Sequence, residues 1–237
     1  YYVDHGFLDG VDAIYGTHIW GDLDAPYMNF EAGPRMASCD NFRIEVEGKS
    51  AHGSTPHQGV DAILAAAHII TEIQAVVSRM NDPLNPLVVT IGTINGGQRF
   101  NILADKVVME GTTRTHSPKM RKKTEPLLRK IAENAADSMG AKATLTFEYF
   151  PAPIINDHEN LVQIARNAAV KLYGPDTLKS FPKMMISEDF AYYMEKVPGV
   201  FGLVGSQNKE LGCTAKNHND HYTIDESVLK RGAAMYA

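Results

Sequence analysis

Four of the nine histidines stand among glycine, proline, asparagine and aspartate residues rather than on an apolar face: His18, His52, His57 and His218. Imidazole with carboxylate neighbours is the ordinary ligand set of zinc and manganese. His18 and His218 lie in the two outer segments of the chain, so folding could bring them together. Taken singly, each is interpreted first as a surface or hydrogen-bonded loop histidine, because their spacing forms neither HExxH nor a paired-histidine helix motif.

Other catalytic chemistry is sparse in this sequence. The two cysteines, Cys39 and Cys213, are too few for a disulfide framework or a thiolate metal cluster, and they favour a reducing cytoplasm. No GxSxG elbow is present, and neither cysteine has a patterned histidine partner, which argues against acyl transfer through serine or cysteine. Gly96 and Gly97 do not lead into a Gly-Lys-Ser/Thr helix start, so they predict a tight turn rather than a phosphate loop.

Composition and charge bear on the partners. A net charge of −5 over 237 residues gives no basic surplus for nucleic acid. The run Lys119–Lys123 (KMRKK) is interpreted as the solvated face of a helix. The longest apolar stretches fall short of a membrane span, so no membrane partner is expected.

The middle of the chain, residues 37–152, carries the clearest secondary-structure pattern. Phe42, Ile44 and Val46 alternate with charged residues, which is the period of a half-buried strand. Ser117 is a plausible N-cap for a helix that ends before Gly140, with a kink or a restart at its internal proline. The predicted order is a strand at 42–46, a helix at 60–70, strands at 87–91 and 102–113, the helix at 117–140 and a strand at 143–150. That order, β-α-β-β-α-β, is the split ferredoxin-like α+β arrangement.

The outer segments, residues 1–36 and 153–237, alternate helix and strand and predict an α/β layer that carries the middle unit as an insertion. A short strand at 11–14 leads to His18, and polar sequence follows as far as Gly33-Pro34. Further along we expect a helix capped by Asp157, a methionine-rich strand at 183–186, a helix after residue 190, a strand at 200–204 and a helix from residue 224.

Several short motifs follow one another along the chain: Leu8–His18 (LDGVDAIYGTH), Gly48–Gly53 (GKSAHG), Pro56-His57, Gly96-Gly97 with Asn101-Ile102, Gly111–Arg114 (GTTR), Ser187–Phe190 (SEDF) and His218-Asn219. In this order they resemble the M20 family of metallopeptidases, in particular its amidohydrolase branch of hippurate hydrolases, N-acyl-amino-acid deacylases and plant auxin-conjugate hydrolases. The resemblance covers essentially the whole chain.

The resemblance implies a zinc-peptidase-like catalytic layer with an inserted lid, also called the dimerisation domain. It implies that His18 and His218 are metal ligands in a site for two divalent ions, zinc or manganese, with nickel and cobalt also compatible. His52 matches a histidine that stabilises the tetrahedral oxyanion, sometimes from a partner subunit. A homodimer through the lid is therefore expected.

The resemblance also implies substrate-binding residues. Asn101 and Arg114 match lid residues that hold the carboxylate end of the substrate, which an arginine can bind through two parallel hydrogen bonds. His57 belongs to the same motif group and is assigned to substrate binding. Glu188 matches a residue near the substrate pocket, and a carboxylate that stabilises a helix N-terminus is the alternative.

Two family motifs are absent from these 237 residues: His-x-Cys-Gly-His-Asp, and Pro-Ala-Glu-Glu with the general base. Both are expected upstream of Tyr1, so the isolated chain is expected to bind metal poorly and to have no meaningful turnover. The implied reaction is metal-dependent hydrolysis of the amide bond of N-acyl or N-aroyl amino acids. Two alternatives stay open. One is a dipeptidase or aminopeptidase, which usually carries a carboxylate at the position of His18, and the other is a non-catalytic binding paralogue.

Overall fold

The structure is a computed structural model that describes residues 1–237. The strands are β1 (Ile14–Asp24), β2 (Met28–Asn29), β3 (Gly33–Met36), β4 (Asp40–Glu47), β5 (Leu87–Gly96), β6 (Lys106–Thr115), β7 (Lys142–Tyr149), β8 (Ile154–Asn156) and β9 (Gly199–Gln207). The α-helices are α1 (Ala62–Glu72), α2 (Gln74–Ser78), α3 (Pro118–Ser138), α4 (Glu159–Tyr173), α5 (Ala191–Met194) and α6 (Leu229–Ala234). Short 3₁₀ turns lie at Val3–His5, Pro56–Gln58, Pro175–Thr177 and Glu226–Val228.

The chain divides into two compact units. The outer unit contains residues 1–36, 154–184 and 188–237, and the middle unit contains residues 37–153 with 185–187. No helix in the structure combines the length and the apolar composition that a membrane crossing requires. Both cysteines are free thiols.

The middle unit is an antiparallel sheet in the order β5-β6-β4-β7. Ile44 on the central strand β4 pairs with Met109 of β6 on one side and with Leu145 of β7 on the other. These side chains point to one face, where α1 and α3 cover them, and Ile69 of α1 and Leu128 of α3 have no exposed surface. The element order confirms the predicted β-α-β-β-α-β fold.

Helix α3 begins where the sequence predicts, because Ser117 accepts a hydrogen bond from the backbone N–H of Met120. The helix continues through its internal proline as one element to Ser138. The interpretation of Lys119–Lys123 as a solvated face is wrong in part. Arg121 turns inward and binds both carboxylate oxygens of Asp40, which has no exposed surface, at 2.7–3.1 Å.

The outer unit is organised around β9, which pairs in parallel with β1 and in antiparallel with β2. Every residue of β9 except the last is buried. Glycine is required at position 202, because a Cβ there would overlap the ring of the fully buried Phe30. Asn156 of β8 joins the small β3-β8 sheet to β9, since its amide exchanges two hydrogen bonds of 2.9 Å with the backbone of Phe201.

Several predicted boundaries in the outer unit are wrong. The strand predicted at 11–14 begins at Ile14 and continues to Asp24, because the parallel partner β9 supplies a ladder through Trp20. His18 therefore lies inside a strand rather than at its end. The polar stretch after it contains β2 and β3, because neighbouring backbone rather than apolar alternation holds these short strands.

Further along the outer unit, the methionine-rich strand at 183–186 is absent, and a single bridge between Met36 and Met184 replaces it. The helix after residue 190 has one turn. The N-cap position of α4 is His158 rather than Asp157, and its side chain makes no capping hydrogen bond. The C-terminal helix starts at Leu229 after a 3₁₀ turn.

In the middle unit, β5 extends to Gly96 through the predicted turn, and β6 starts only at Lys106. The β5-β6 ladder runs past a register shift between Ile91 and Thr93 and ends with Gly96 opposite Val107, so residues 102–105 lie outside it.

Candidate functional site

His18 is held in one ring tautomer by its own strand. It pairs with Leu203 of β9, and its Nδ1 lies 2.6 Å from the carbonyl oxygen of Ile19. Since a carbonyl only accepts, Nδ1 carries the proton and Nε2 keeps its lone pair. A histidine that donates one ring N–H to a backbone carbonyl is the form that metals bind through the other nitrogen.

Glu188 faces the free nitrogen of His18, with 3.9 Å between Oε2 and Nε2. Burial raises the pKa of the Glu188 carboxyl, and a hydrogen bond with Asp189 raises it further, against the attraction of His18. The carboxylate lies before α5 rather than in its first turn, and it accepts a hydrogen bond of 3.4 Å from the backbone of Phe190. Imidazole nitrogen and carboxylate oxygen therefore converge on one partly exposed point.

The aromatic surroundings of this point are close-packed. The ring of Trp20 meets His18 edge-on at 5.5 Å between centroids. The ring of Phe190 lies where a Cβ on Gly16 would approach it to 2.7 Å, so strand β1 passes Phe190 only because residue 16 is glycine.

His218 lies in an exposed turn of the same unit, and it is the only non-glycine residue with a positive φ, at 65°. The preceding Asn217 reaches β1, where its side chain accepts from the backbone N–H of Gly21 at 2.9 Å and donates to the carbonyl of Ile19 at 3.2 Å. The structure thus brings the His218 turn to the strand that carries His18. It contains no group of three or more His, Cys, Asp or Glu side chains arranged to hold a metal ion.

In the middle unit, His52 lies in an exposed loop next to Asn101. The backbone N–H of Gly53 donates to the carbonyl of Asn101 at 2.8 Å. The backbone N–H of Ser54 donates to His52 Nδ1 at 3.1 Å, so Nδ1 accepts and the ring proton lies on Nε2. Nε2 of His52 can therefore donate a hydrogen bond, and the residue is exposed. His57 lies on the 3₁₀ turn that follows, and it is exposed.

Arg114 lies on β6, on the sheet face that the helices leave open, opposite Val88 of β5. Its Nη1 donates to the hydroxyl of Thr112 and, at 3.1 Å, to the carbonyl of Thr113. The Thr112 hydroxyl in turn donates to the carbonyl of Asp40 at 2.8 Å, so its lone pair faces the guanidinium. One nitrogen of Arg114 is fixed by the sheet, and neither Nε nor Nη2 has a hydrogen bond or ion-pair partner in the structure.

Sequence reasoning missed three residues that contact these groups: Asn217, Ser54 and Thr112. Each adjoins or lies two residues from a predicted site residue. Thr112 lies inside the Gly111–Arg114 motif, although no role was assigned to it, whereas proximity to a site residue was the only available signal for Asn217 and Ser54.

The chain is similar to known amide-bond hydrolases. Residues 39–139 match the model of the peptidase dimerisation domain of M20 enzymes. The chain is 35% identical to an N-acetyl-L-cysteine deacetylase of Bacillus subtilis over 99% of its own length and 55% of the relative's. It is 32% identical to an IAA-amino acid hydrolase of Arabidopsis thaliana, again over 99% of this chain and 54% of the relative. The chain thus spans about half the length of these relatives.

Solved structures agree with this comparison. A crystal structure from methicillin-resistant Staphylococcus aureus superposes with a TM-score of 0.91 at 30% identity, covering 99% of this chain and 60% of that one. A Bacillus subtilis protein, described as a dinuclear metal-binding peptidase of the M20 family, superposes with a TM-score of 0.81 at 30% identity, covering 99% of this chain and 58% of that one. Over its whole length the chain is therefore similar to M20 enzymes, including members of the amidohydrolase branch.

Proposed function

We propose that this chain contributes the lid and two metal-binding histidines to a metal-dependent hydrolase that cleaves the amide bond of N-acyl or N-aroyl amino acids. The observation that carries the proposal is the geometry of His18. Its Nδ1 is committed to the backbone, and its free Nε2 faces the carboxylate of Glu188 at 3.9 Å. The deacetylase and the IAA-amino acid hydrolase, both named for amide-bond cleavage, support this reaction class.

His18 and His218 would hold metal in this account. The free Nε2 of His18 fits a zinc or manganese ligand, and the Bacillus subtilis structure described as dinuclear supports a pair of divalent ions. A bound divalent ion would polarise the amide carbonyl and lower the pKa of a water molecule. Glu188, whose pKa is raised by burial, would line the substrate pocket beside His18.

His52 would stabilise the oxyanion that forms when the amide carbonyl is attacked. A stabilising group must present a donor toward developing negative charge, and His52 carries a ring proton on Nε2 because Nδ1 accepts a hydrogen bond. Asn101, on the adjoining segment, would bind the substrate carboxylate together with Arg114, and His57 would contribute to the same subsite. Because Arg114 Nη1 is fixed by Thr112, its Nε and Nη2 would meet the carboxylate in a fixed orientation.

The lid would also form a homodimer, as the name of the matching domain suggests. Strand β5 is an edge strand, and its residues from Gly92 onward are exposed. Ile94 on this edge and Ile63 on the neighbouring helix α1 are 51% and 48% exposed, which gives the edge an apolar border. An Ile94→Asp variant would then shift the mass measured by light scattering toward the monomer. Ile164→Asp, on the exposed side of α4, serves as the matched control.

The 237 residues alone would bind metal weakly and show no meaningful turnover, because the family motifs for the general base and the remaining ligands are not among them. The test of the proposed function therefore compares this chain with the full-length gene product. Release of glycine from benzoyl-glycine is measured with EDTA and after manganese or zinc is restored. Activity of the full-length product that EDTA abolishes and metal restores supports the proposal. If the 237-residue chain turns over benzoyl-glycine as fast as the full-length product does, the predicted inactivity of the isolated chain is wrong.

Peptide substrates are a second candidate, because the chain is 32% identical to a thermostable carboxypeptidase of Saccharolobus solfataricus over 59% of that relative. A panel of dipeptides alongside benzoyl-glycine separates the two. Cleavage of dipeptides by a metal-loaded protein that leaves acyl amino acids intact would favour a peptidase. A protein that shows neither bound metal nor turnover would instead favour a binding paralogue.

A further inference from the structure

The carboxamide of Asn217 binds β1 in the way that a neighbouring strand would. Its oxygen accepts from the N–H of Gly21 at 2.9 Å, and its nitrogen donates to the carbonyl of Ile19 at 3.2 Å. An acceptor and a donor two residues apart on one strand are the groups that a sheet ladder pairs. The carbonyl of Ile19 also accepts from His18 Nδ1 at 2.6 Å. One backbone oxygen is therefore shared by His18 and by the residue that precedes His218.

The segment around Asn217, from Ala215 to Tyr222, packs closely against β1. A Cβ on Gly21 would lie 2.9 Å from the ring of Tyr222 and 3.2 Å from the carbonyl oxygen of Ala215, so only glycine admits the turn at this distance. His218 itself adopts φ 65°, a conformation that costs free energy for a residue with a side chain. The surrounding contacts must hold it there, and of the two residues that flank His218 it is Asn217 whose side chain bonds to β1.

We propose that Asn217 is a positioning residue, which fastens the His218 turn to β1 so that His18 and His218 are presented to a metal ion as one unit. The proposal rests on the metal role proposed for these two histidines. Asn217 would not touch the metal. It acts through the backbone of Ile19 and Gly21, and it fixes the carbonyl that holds the His18 ring.

The chain offers a direct probe of this site, because Trp20 is its single tryptophan and its ring lies 5.5 Å from that of His18. Ni²⁺ bound at His18 quenches tryptophan emission, so titration of the 237-residue chain into the millimolar range gives an apparent dissociation constant. Asn217→Ala is expected to weaken Ni²⁺ binding about 10- to 100-fold, the usual loss when a group that orients a metal ligand is removed. Asn167→Ala, on the exposed side of α4, is the matched control and should bind as the unaltered chain does.

A double-mutant cycle separates the positioning role from the metal role itself. His218→Ala should weaken Ni²⁺ binding at least as much as Asn217→Ala, and the double variant should bind no worse than His218→Ala alone. Additive losses would overturn the proposal, because Asn217 would then act independently of His218. Full Ni²⁺ affinity of Asn217→Ala beside a weakened His218→Ala would also overturn it. An unaffected His218→Ala would instead refute the metal role of His218.

A metal-free measurement decides the matter even where Ni²⁺ binds too weakly for titration. The heteronuclear NOE of the His218 amide reports its motion on the nanosecond timescale. It should fall to the value of a mobile loop in Asn217→Ala and stay unchanged in Asn167→Ala. A His218 amide that is equally ordered in both variants contradicts the proposal.

Discussion

Replacing Arg121 by alanine is expected to destabilise the middle unit strongly, although Arg121 belongs to a run of basic residues on a helix. Its guanidinium makes three contacts of 2.7–3.1 Å with the carboxylate of Asp40, and it also donates to the carbonyl of Phe150. Asp40 has no exposed surface, and its only other carboxylate contact in the structure is the backbone N–H of Phe150 at 3.2 Å. The pair joins helix α3 to strands β4 and β7.

The magnitude follows from what Arg121→Ala leaves behind. A buried carboxylate would keep one backbone donor and lose its counter-charge, which costs about 3–5 kcal/mol of the free energy of unfolding. Lys122→Ala, one residue along the same helix, removes an equal charge from an exposed position and should change the free energy by less than about 0.5 kcal/mol. Because both variants lose the same charge, the difference between their free energies of unfolding measures the effect of the buried ion pair.

Native-state hydrogen exchange, followed by mass spectrometry on peptides from β4 and β7, measures this contrast within the unit. A loss of 3–5 kcal/mol speeds exchange by global opening by about two to four orders of magnitude in Arg121→Ala. Exchange in Lys122→Ala should match that of the unaltered chain. Closely similar exchange in the two variants would show that the buried carboxylate of Asp40 does not depend on Arg121.

Three further predictions concern the outer unit. Gly202→Ala should lower the melting temperature, because overpacking against Phe30 costs about 1–3 kcal/mol of the free energy of unfolding. Gly232→Ala, whose added Cβ would meet nothing nearer than 3.8 Å, should be neutral or stabilising. Calorimetry that ranks the two variants otherwise contradicts the packing. Asn156→Leu should lower the free energy of unfolding in urea by about 2–4 kcal/mol, because it leaves the backbone groups of Glu31 and Phe201 without their hydrogen-bond partner. A loss under about 1 kcal/mol would show that these groups find other partners. Hydrogen bonds from two neighbouring residues lower the pKa of Asp225 from 3.8, so the stability it contributes is present above that pH and is lost as pH falls through the folded value. Between about pH 5 and pH 2 the melting temperature of Asp225→Asn should therefore depend less on pH than that of the unaltered chain. An equal dependence on pH in the two proteins would contradict this.

The fold of the middle unit was predictable because its sequence pattern and its burial coincide. Phe42, Ile44 and Val46 alternate at the period of a strand, and the same residues face the helices. Ser117 caps α3 as its type predicts, since the cap depends only on the next three residues. Arg121 was not predictable in the same way. Its partner Asp40 lies far away along the chain, and no local pattern marks an inward-facing arginine.

The outer unit was harder to predict, because its strands depend on partners distant in sequence. β1 extends through Asp24 on the strength of its ladder with β9, although Thr17, His18 and Gly21 interrupt any apolar pattern. The candidate site shows the same division. Motif resemblance pointed to His18 and Glu188, which the structure brings to 3.9 Å, whereas the bridge from Asn217 to β1 spans 196 residues and has no local signature.

The most direct test of the account is the bound metal and the hydrolysis rate of the full-length gene product carrying His18→Ala. His158→Ala, at a partly exposed position before α4, is the matched control. Metal per chain is measured by mass spectrometry after dialysis, and glycine release from benzoyl-glycine is measured on the same samples. If His18 binds the metal, His18→Ala loses bound metal and hydrolysis while His158→Ala keeps both. Full metal content and full activity in His18→Ala would contradict it.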